Sequence, residues 1–308
     1  MNFRHNRTHN CNSNTRVKMY FKTLEEIIGN TPLLEIPSGN VTNKILIKLE
    51  GNNPGGSIKD RPAIRMINDA EKNGLITKGD TLIEATSGNT GIALSMAASI
   101  KGYKMIIIMP ETASVERVKT MEAYGAKIIL VDKEKDMEGA RDLAKTMQSN
   151  SEGIVLDQFS NPSNFRAHYE TTGPEIWEQT NGKVTHFVSA MGTTGTITGV
   201  SMFLKSKNPD IQIIGVQPEE GTRISGIRRW KDGYQPTIFE NALVDNIIDI
   251  NQSDAEETSK SLARDLGLFC GVSSAANIFI SKQIIANREE SCVVTIMCDR
   301  GDRYISKL

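Results

Sequence analysis

Residues 81–98 read TLIEATSGNTGIALSMAA, and the join inside that stretch decides the fold. Thr81–Ala85 is a short β-type run. Thr86, Ser87, Asn89 and Thr90 then crowd into a small polar turn, and from about Gly91 the small apolar residues suit a packed helix. A strand that turns at once into a helix is the repeating half-unit of a parallel α/β sheet. The same join returns in THFVSAMGTTGTITGV, residues 185–200.

Further Ile/Val-rich runs lie at 44–50, 104–109, 126–131, 153–159, 211–217 and 292–298. Helical patterns separate them at 91–100, 114–124, 137–149, 196–206 and 254–266. Continuous apolar strands alternating with helices predict parallel sheets covered on both faces. The alternation runs on both sides of about residue 160. The stretch SNPSNFRAHYETTGPEIW (160–177) has the turn residues of a crossing between two units. The expected class is therefore α/β: two domains, each a mostly parallel twisted sheet flanked by helices, with a cleft between them.

Bulk numbers agree. The chain has 308 residues, 38% hydrophobic and 6% aromatic, enough for a sizeable core without covalent staples. A formal net charge of -1 gives no general basic surface, so no nucleic-acid partner is expected. Cys11, Cys270, Cys292 and Cys298 form no CxxC pair and no zinc-type cluster, so no metal is expected and a reducing cytoplasm suits the chain. No apolar run is long enough to span a bilayer. Residues 1–18, MNFRHNRTHNCNSNTRVK, carry no acid and few apolar residues; they read as a disordered tail.

Three turns carry chemistry. At the first, the helix start after Ala85 offers free N–H groups and a positive dipole end, with hydroxyls from Thr86, Ser87 and Thr90. It suits a carboxylate, or it is a plain N-cap. At the second, Gly192, Thr193, Thr194, Gly195 and Thr196 form a cup of N–H and hydroxyl groups of the kind that binds phosphate. It lacks the Lys-Ser/Thr pair of a nucleotide P-loop and is not GxGxxG. The third, FCGVSSAAN (269–277), reads on its own as a serine N-cap before an apolar helix.

One lysine stands apart. Lys59 follows the turn Asn53–Ser57 in GNNPGGSIKDRPA (51–63) and precedes an amphipathic helix. It is either a surface charge or a buried reactive amine. A phosphate cup, a carboxylate turn and a turn-held lysine together suit pyridoxal 5'-phosphate, whose aldehyde a lysine captures as an imine.

Taken together, GNTPLLEI, KLEGNNPGGSIKDR, EATSGNTGIALSMAA, DQFSNPSN, TTGPEIW, SAMGTTGTITGV, GVQPEEG and FCGVSS resemble the cysteine synthases, fold-type II pyridoxal-phosphate enzymes. The resemblance runs from Leu24 to about Lys307. GIRRW (226–230) and IMCDRGDRYIS (296–306) look like the B-type branch. It implies that Lys59 carries the cofactor imine and moves the substrate α-proton. It places Asn89 on the ring hydroxyl, 192–196 on the phosphate, and Ser273 at the pyridine nitrogen. Thr86, Ser87, Thr90 and Gln158 would bind the substrate carboxylate, and Arg228 would line the nucleophile's entrance. The implied reaction replaces the acetoxy group of O-acetyl-L-serine, or the phosphate of O-phosphoserine, by sulfide or thiosulfate through an α-aminoacrylate.

The resemblance also implies a homodimer. It divides the chain into a smaller domain, 53–163, and a larger one, 19–52 with 164–308. Residues 91–131 would form a lid over the site, and 218–235 a mobile rim. Cys298 is expected to be a small hydrophobe without a catalytic part. The sequence departs from the family in Ala275, where a glycine is common after GVSS, which puts the placement of Ser273 in question. An A-type cysteine synthase, a cystathionine synthase, a serine dehydratase and an idle cofactor-binding protein are the competing readings. The intact Lys59 speaks against the last.

Overall fold

The computed structural model describes residues 20–230, 234–286 and 288–307. The tail expected at 1–18 lies outside them. In chain order the elements are β1 (Leu33–Ile36), β2 (Lys44–Leu49), α1 (Asp60–Lys72), β3 (Thr81–Ala85), α2 (Asn89–Lys101), β4 (Lys104–Pro110), α3 (Val115–Ala123) and β5 (Lys127–Val131). Then come α4 (Asp136–Ser149), β6 (Ile154–Val155), α5 (Pro162–Ala167), α6 (Gly173–Gln179), β7 (His186–Ala190), α7 (Gly195–Lys207) and β8 (Gln212–Pro218). The chain closes with β9 (Asn246–Ile250), α8 (Gln252–Leu266), α9 (Val272–Ile285) and β10 (Cys292–Met297).

The strands form two sheets. One has the order β1-β2-β10-β7-β8-β9, and the other β5-β4-β3-β6. Every pairing is parallel except β1 with β2. The larger sheet is covered on one side by a core around Ile45, Ile47, Val188, Ala276 and Ile278, and on the other by one around Phe187, Ile197, Val200 and Val294. The smaller sheet is packed likewise, with Ile92, Ala93 and Ile107 in one cluster and Ile83, Ala140 and Ala144 in another. Burial on both faces is why these strands show no polar alternation.

The structure corrects three expectations. The run 153–159 pairs only at Ile154–Val155, because Asp157 takes φ +51° and turns the chain away. The link from β6 of the smaller sheet to β7 of the larger is made by helix rather than by turns: α5, a π-helical turn over His168–Thr172, then α6. Pro162 stands in the first turn of α5, where a missing N–H costs nothing, and Pro174 comes just after the π-helical turn, behind Gly173. At FCGVSS the N-cap is Gly271 rather than a serine, and Ser273 lies inside the first turn of α9. The short strands β1 and β9, the two edges of the larger sheet, were not foreseen.

Beneath the Lys59 turn lies a buried ionic knot. Arg61 donates to both oxygens of Glu50 at 2.7 Å each and to both of Glu175 at 2.6 and 2.8 Å. Lys48, fully buried, lies 2.7 Å from Glu175 and donates 2.6 Å to Thr31 O. Burial works to raise the Glu50 pKa, but the Arg61 ion pair overcomes it and holds the carboxyl below its usual range.

In the smaller sheet, Glu84 has a different fate. Burial, reinforced by Asp157, pushes its pKa up to about 8 from the usual 4.5. Folding therefore takes up a proton between those values, and stability falls as pH rises from about 4.5 to about 8, then levels off. Glu84→Gln should flatten this slope: the melting temperature of the native protein should drop more between pH 5 and pH 8 than that of the variant. Parallel melting curves across that range would refute the assignment.

Candidate active site

Five loops meet at the carboxyl ends of the parallel strands, where ligands of open α/β sheets bind. In the larger sheet the Lys59 turn follows β2, residues 191–194 follow β7, the rim 219–230 follows β8, and residues 298–303 follow β10. From the smaller sheet, Thr86–Gly88 follows β3.

Lys59 is half-buried at the start of α1. Its turn is braced on the far side by the segment after β10. Ile58 N–H donates to Cys298 O at 2.8 Å, and Ser57 pairs with Asp299. Gly56 takes φ +78°, and a Cβ there would come within 2.5 Å of Arg303 Nη2. Asp60, the next residue, accepts the Gly55 N–H at 2.5 Å; burial pushes its pKa up to about 7.

The loop 192–196 has the character expected of a phosphate cup. Thr194 takes φ +69°, and its hydroxyl donates to Thr193 O at 2.5 Å instead of capping α7. Of the first N–H groups of α7, that of Gly195 reaches Thr193 Oγ1 at 3.4 Å, and those that follow it have no side-chain cap from Thr194. Gly192 packs so closely that a Cβ would lie 2.7 Å from Gly226 O. The Thr196 hydroxyl lies 3.3 Å from His168 Nε2, whose ring bonds Thr172 Oγ1 at 2.9 Å through Nδ1. Burial, and then the Arg61 and Lys59 charges, hold the His168 pKa well below its ordinary value, so the ring is neutral.

The carboxylate turn joins this loop through one glutamine. Gln158 Oε1 accepts the Thr90 hydroxyl at 2.7 Å, while Gln158 O accepts Asn164 Nδ2 at 2.6 Å. Asn164 Nδ2 also reaches Thr193 Oγ1 at 3.2 Å. Thr86 is buried beside Thr90, and Ser87 O accepts from Arg117 at 3.2 Å. At Gly88 nothing lies within 4 Å of where a Cβ would stand, so the turn opens onto free space.

Ser273 is buried, with Gly226 between it and Gly192; a Cβ on Gly226 would lie 3.3 Å from Ser273 Oγ. Ala275 is fully buried in α9. Arg228 is exposed at the rim, but its N–H bonds Met191 O at 2.9 Å and its guanidinium lies 5.5 Å from the Trp230 ring centre. Trp230 Nε1 donates 2.9 Å to Gly192 O, which ties the rim to the cup. Arg229 is turned away, onto Pro218 O and Asp249. Desolvation pushes the Cys298 thiol up to about 11, so it stays protonated.

Lys59, Thr86, Ser87, Asn89, Thr90, Gln158, residues 192–196 and Ser273 therefore lie around the carboxyl ends of the strands, with Asn89 bonded to Asp299 and Arg228 at the rim. His168, Asn164, Asp299 and Arg303 were not foreseen. His168 and Asn164 sat in a stretch read as a turn, and Asp299 and Arg303 within a motif read only for its likeness to one branch. A buried histidine beside a threonine-rich loop leaves no pattern in a single sequence.

The cup, the lysine and the open carboxylate turn fit a phosphate-bearing aldehyde cofactor. The chain belongs to the pyridoxal-phosphate dependent enzymes, whose family model matches residues 24–299. Among its relatives, cysteine synthase B of Pseudomonas aeruginosa is 56% identical over 93% of this chain and 96% of that protein. Cysteine synthase B of Salmonella typhimurium is 57% identical over 92% and 94%. Among solved structures, the cysteine synthase of Entamoeba histolytica is 39% identical, with a TM-score of 0.88 and 96% and 92% of the two chains covered. An O-ureido-L-serine synthase is similar at 32% identity, TM-score 0.89, with 94% and 95% covered.

Proposed function

We infer that this chain is a pyridoxal-phosphate-dependent cysteine synthase, replacing the acetoxy group of O-acetyl-L-serine by sulfide. The observation that carries the reading is the convergence of Lys59, the uncapped α7 loop and the Thr86–Thr90 turn on one cleft. When bound, the cofactor supplies an electron sink that acidifies the substrate α-carbon and lets a β-substituent leave.

The chain's own residues do the rest. The 192–196 loop would hold the phosphate, Lys59 the aldehyde carbon, Asn89 the ring oxygen and Ser273 the pyridine nitrogen. A serine hydroxyl is neutral, so it does not fix a proton on that nitrogen as a carboxylate would. This moderates the sink and favours elimination over a long-lived carbanion. Thr86, Ser87, Thr90 and Gln158 would orient the substrate carboxylate. Lys59 Nζ would take the α-proton and return it once sulfur has added. The neutral His168 cannot compete with Lys59 for charge at the cup.

The finer points belong to the same reading. The chain would divide into 53–163 and 19–52 with 164–308, and 91–131 would close over the substrate to keep water out. It would act in the cytoplasm as a homodimer; among the described residues no helix is long and apolar enough to cross a membrane. Arg228 at the rim suits an anionic donor such as thiosulfate. In steady-state assays with O-acetyl-L-serine, Arg228→Ala should lose roughly tenfold in kcat/KM for thiosulfate, about 1.4 kcal/mol, and little for sulfide. Equal losses with both donors would remove Arg228 from donor choice. A native protein that forms neither cysteine from sulfide nor S-sulfocysteine from thiosulfate would end the cysteine-synthase reading.

A further inference from the structure

The segment after β10 does more than follow the last strand. Arg303 reaches back from it and donates through Nη1 to Asn89 Oδ1 and through Nη2 to Gly55 O. Asp299 Oδ2 accepts Asn89 Nδ2 at 2.6 Å and the Tyr304 hydroxyl at 2.6 Å. Arg117 lies 5.3 Å from the Tyr304 ring centre and donates to Ser87 O. One short segment thus grips the Lys59 turn and the Thr86–Asn89 turn together.

Its chemistry settles how Asn89 presents itself. A guanidinium can only donate, and Asp299 Oδ2, already taking the tyrosine proton, accepts. The Asn89 amide therefore has its oxygen toward Arg303 and one N–H toward Asp299. Its oxygen is engaged by a charge-assisted bond, so what it offers to the cleft is its second N–H. Such a group discriminates: it can bind an acceptor oxygen, not a hydroxyl that must donate.

We propose that Arg303 is a positioning residue that, with Asp299, locks the Asn89 amide as a hydrogen-bond donor to the oxygen on the cofactor ring, and so selects the deprotonated form of that oxygen. The proposal rests on the assignment of Asn89 to that oxygen made above. Arg303 acts through Asn89 and through the carbonyl of Gly55; it touches no substrate.

The test is the absorption spectrum of the purified protein carrying pyridoxal 5'-phosphate, together with cofactor affinity measured by re-adding pyridoxal 5'-phosphate to cofactor-stripped protein. Arg303→Ala should shift intensity between the two visible bands that report the protonation state of the ring oxygen and imine. It should also weaken cofactor binding by roughly three- to tenfold, the loss of about one hydrogen bond. Arg303→Lys, which keeps one charged donor, should recover part of both. Arg303→Met, which keeps the aliphatic stem but no donor, gives the same reading should alanine prevent folding. In an Asn89→Ala background most of the Arg303→Ala shift should be lost, leaving only what the Gly55 contact contributes, because a residue acting through another is non-additive with it. An Arg303→Ala spectrum and affinity equal to the native protein's overturn the proposal, as does a full-sized shift that persists without Asn89. If Asn89→Ala alone leaves the spectrum untouched, the placement of Asn89 fails and this proposal with it, whereas failure of Arg303→Ala alone leaves that placement standing.

Discussion

Lys59→Ala should keep the fold and lose turnover by roughly 10²–10⁴-fold from proton transfer alone. The fold survives because the local structure is held by backbone groups. Ile58 N–H bonds Cys298 O at 2.8 Å, Lys59 N–H bonds Ser57 Oγ at 3.2 Å, and Ala63 N–H bonds Lys59 O at 3.0 Å. None of these needs the Lys59 side chain. Alanine also suits the helical backbone at this position, φ -74° and ψ -14°. What goes is the one amine on the turn between β2 and α1. The other cleft groups near it are ill-suited to replace it: His168 is held neutral beside the cup and the Cys298 thiol stays protonated. Turnover by the variant equal to that of the native protein, with thermal unfolding unchanged, would take Lys59 out of the chemistry.

The second large effect is on stability. Arg61→Ala should destabilise the protein by about 3–5 kcal/mol, the usual cost of removing one partner from a buried ion pair. That corresponds to a fall in melting temperature on the order of 10 °C. Glu50 is fully buried and would keep only Thr31 at 2.6 Å and Asn53 at 2.8 Å as direct donors. Arg61→Lys should fall between the two, because one ammonium cannot donate to two carboxylates in the fork geometry that Arg61 uses. Turnover should drop as well, since Arg61 stands two residues from Lys59 and fixes the first turn of α1 against α6. A loss of melting temperature under about 2 °C would mean that the knot contributes less than one kcal/mol, and the account of it would be wrong.

The knot also marks where sequence reading stops. Lys48 lies inside KILIKLE, where a strand run makes it look like an ordinary polar position. Its partner Glu175 is 127 positions away, on a helix that sequence alone suggested was a turn. No local pattern links them; the fold does. The same holds for Arg303, whose value lies in reaching Asn89 from the far end of the chain. The central parallel strands were legible because burial on both faces makes them uniformly apolar. The edges were not: β9 exposes most of its positions and β1 is only four residues long, so neither carries that signature. The functional turns were legible for the opposite reason. Clusters of Gly, Ser, Thr and Asn between a strand and a helix are conspicuous, and backbone geometry restricts what they can be. The roles of their individual hydroxyls were not, since Thr194 and Thr196 turn theirs onto Thr193 O and His168.

The place of β10 in its sheet has a consequence for biosynthesis. It lies between β2 and β7, bonded to both, yet it follows every other strand of the described residues. While the ribosome is still working, the four strands of the smaller sheet can already associate, because all of them fall within residues 81–155. The larger sheet must wait with a gap at its middle and two unpaired edges facing it. Such edges are where a nascent chain is most open to mispairing. Completing the sheet brings residues 298–303 against the Lys59 turn, so the candidate site is not closed on that side until β10 has inserted.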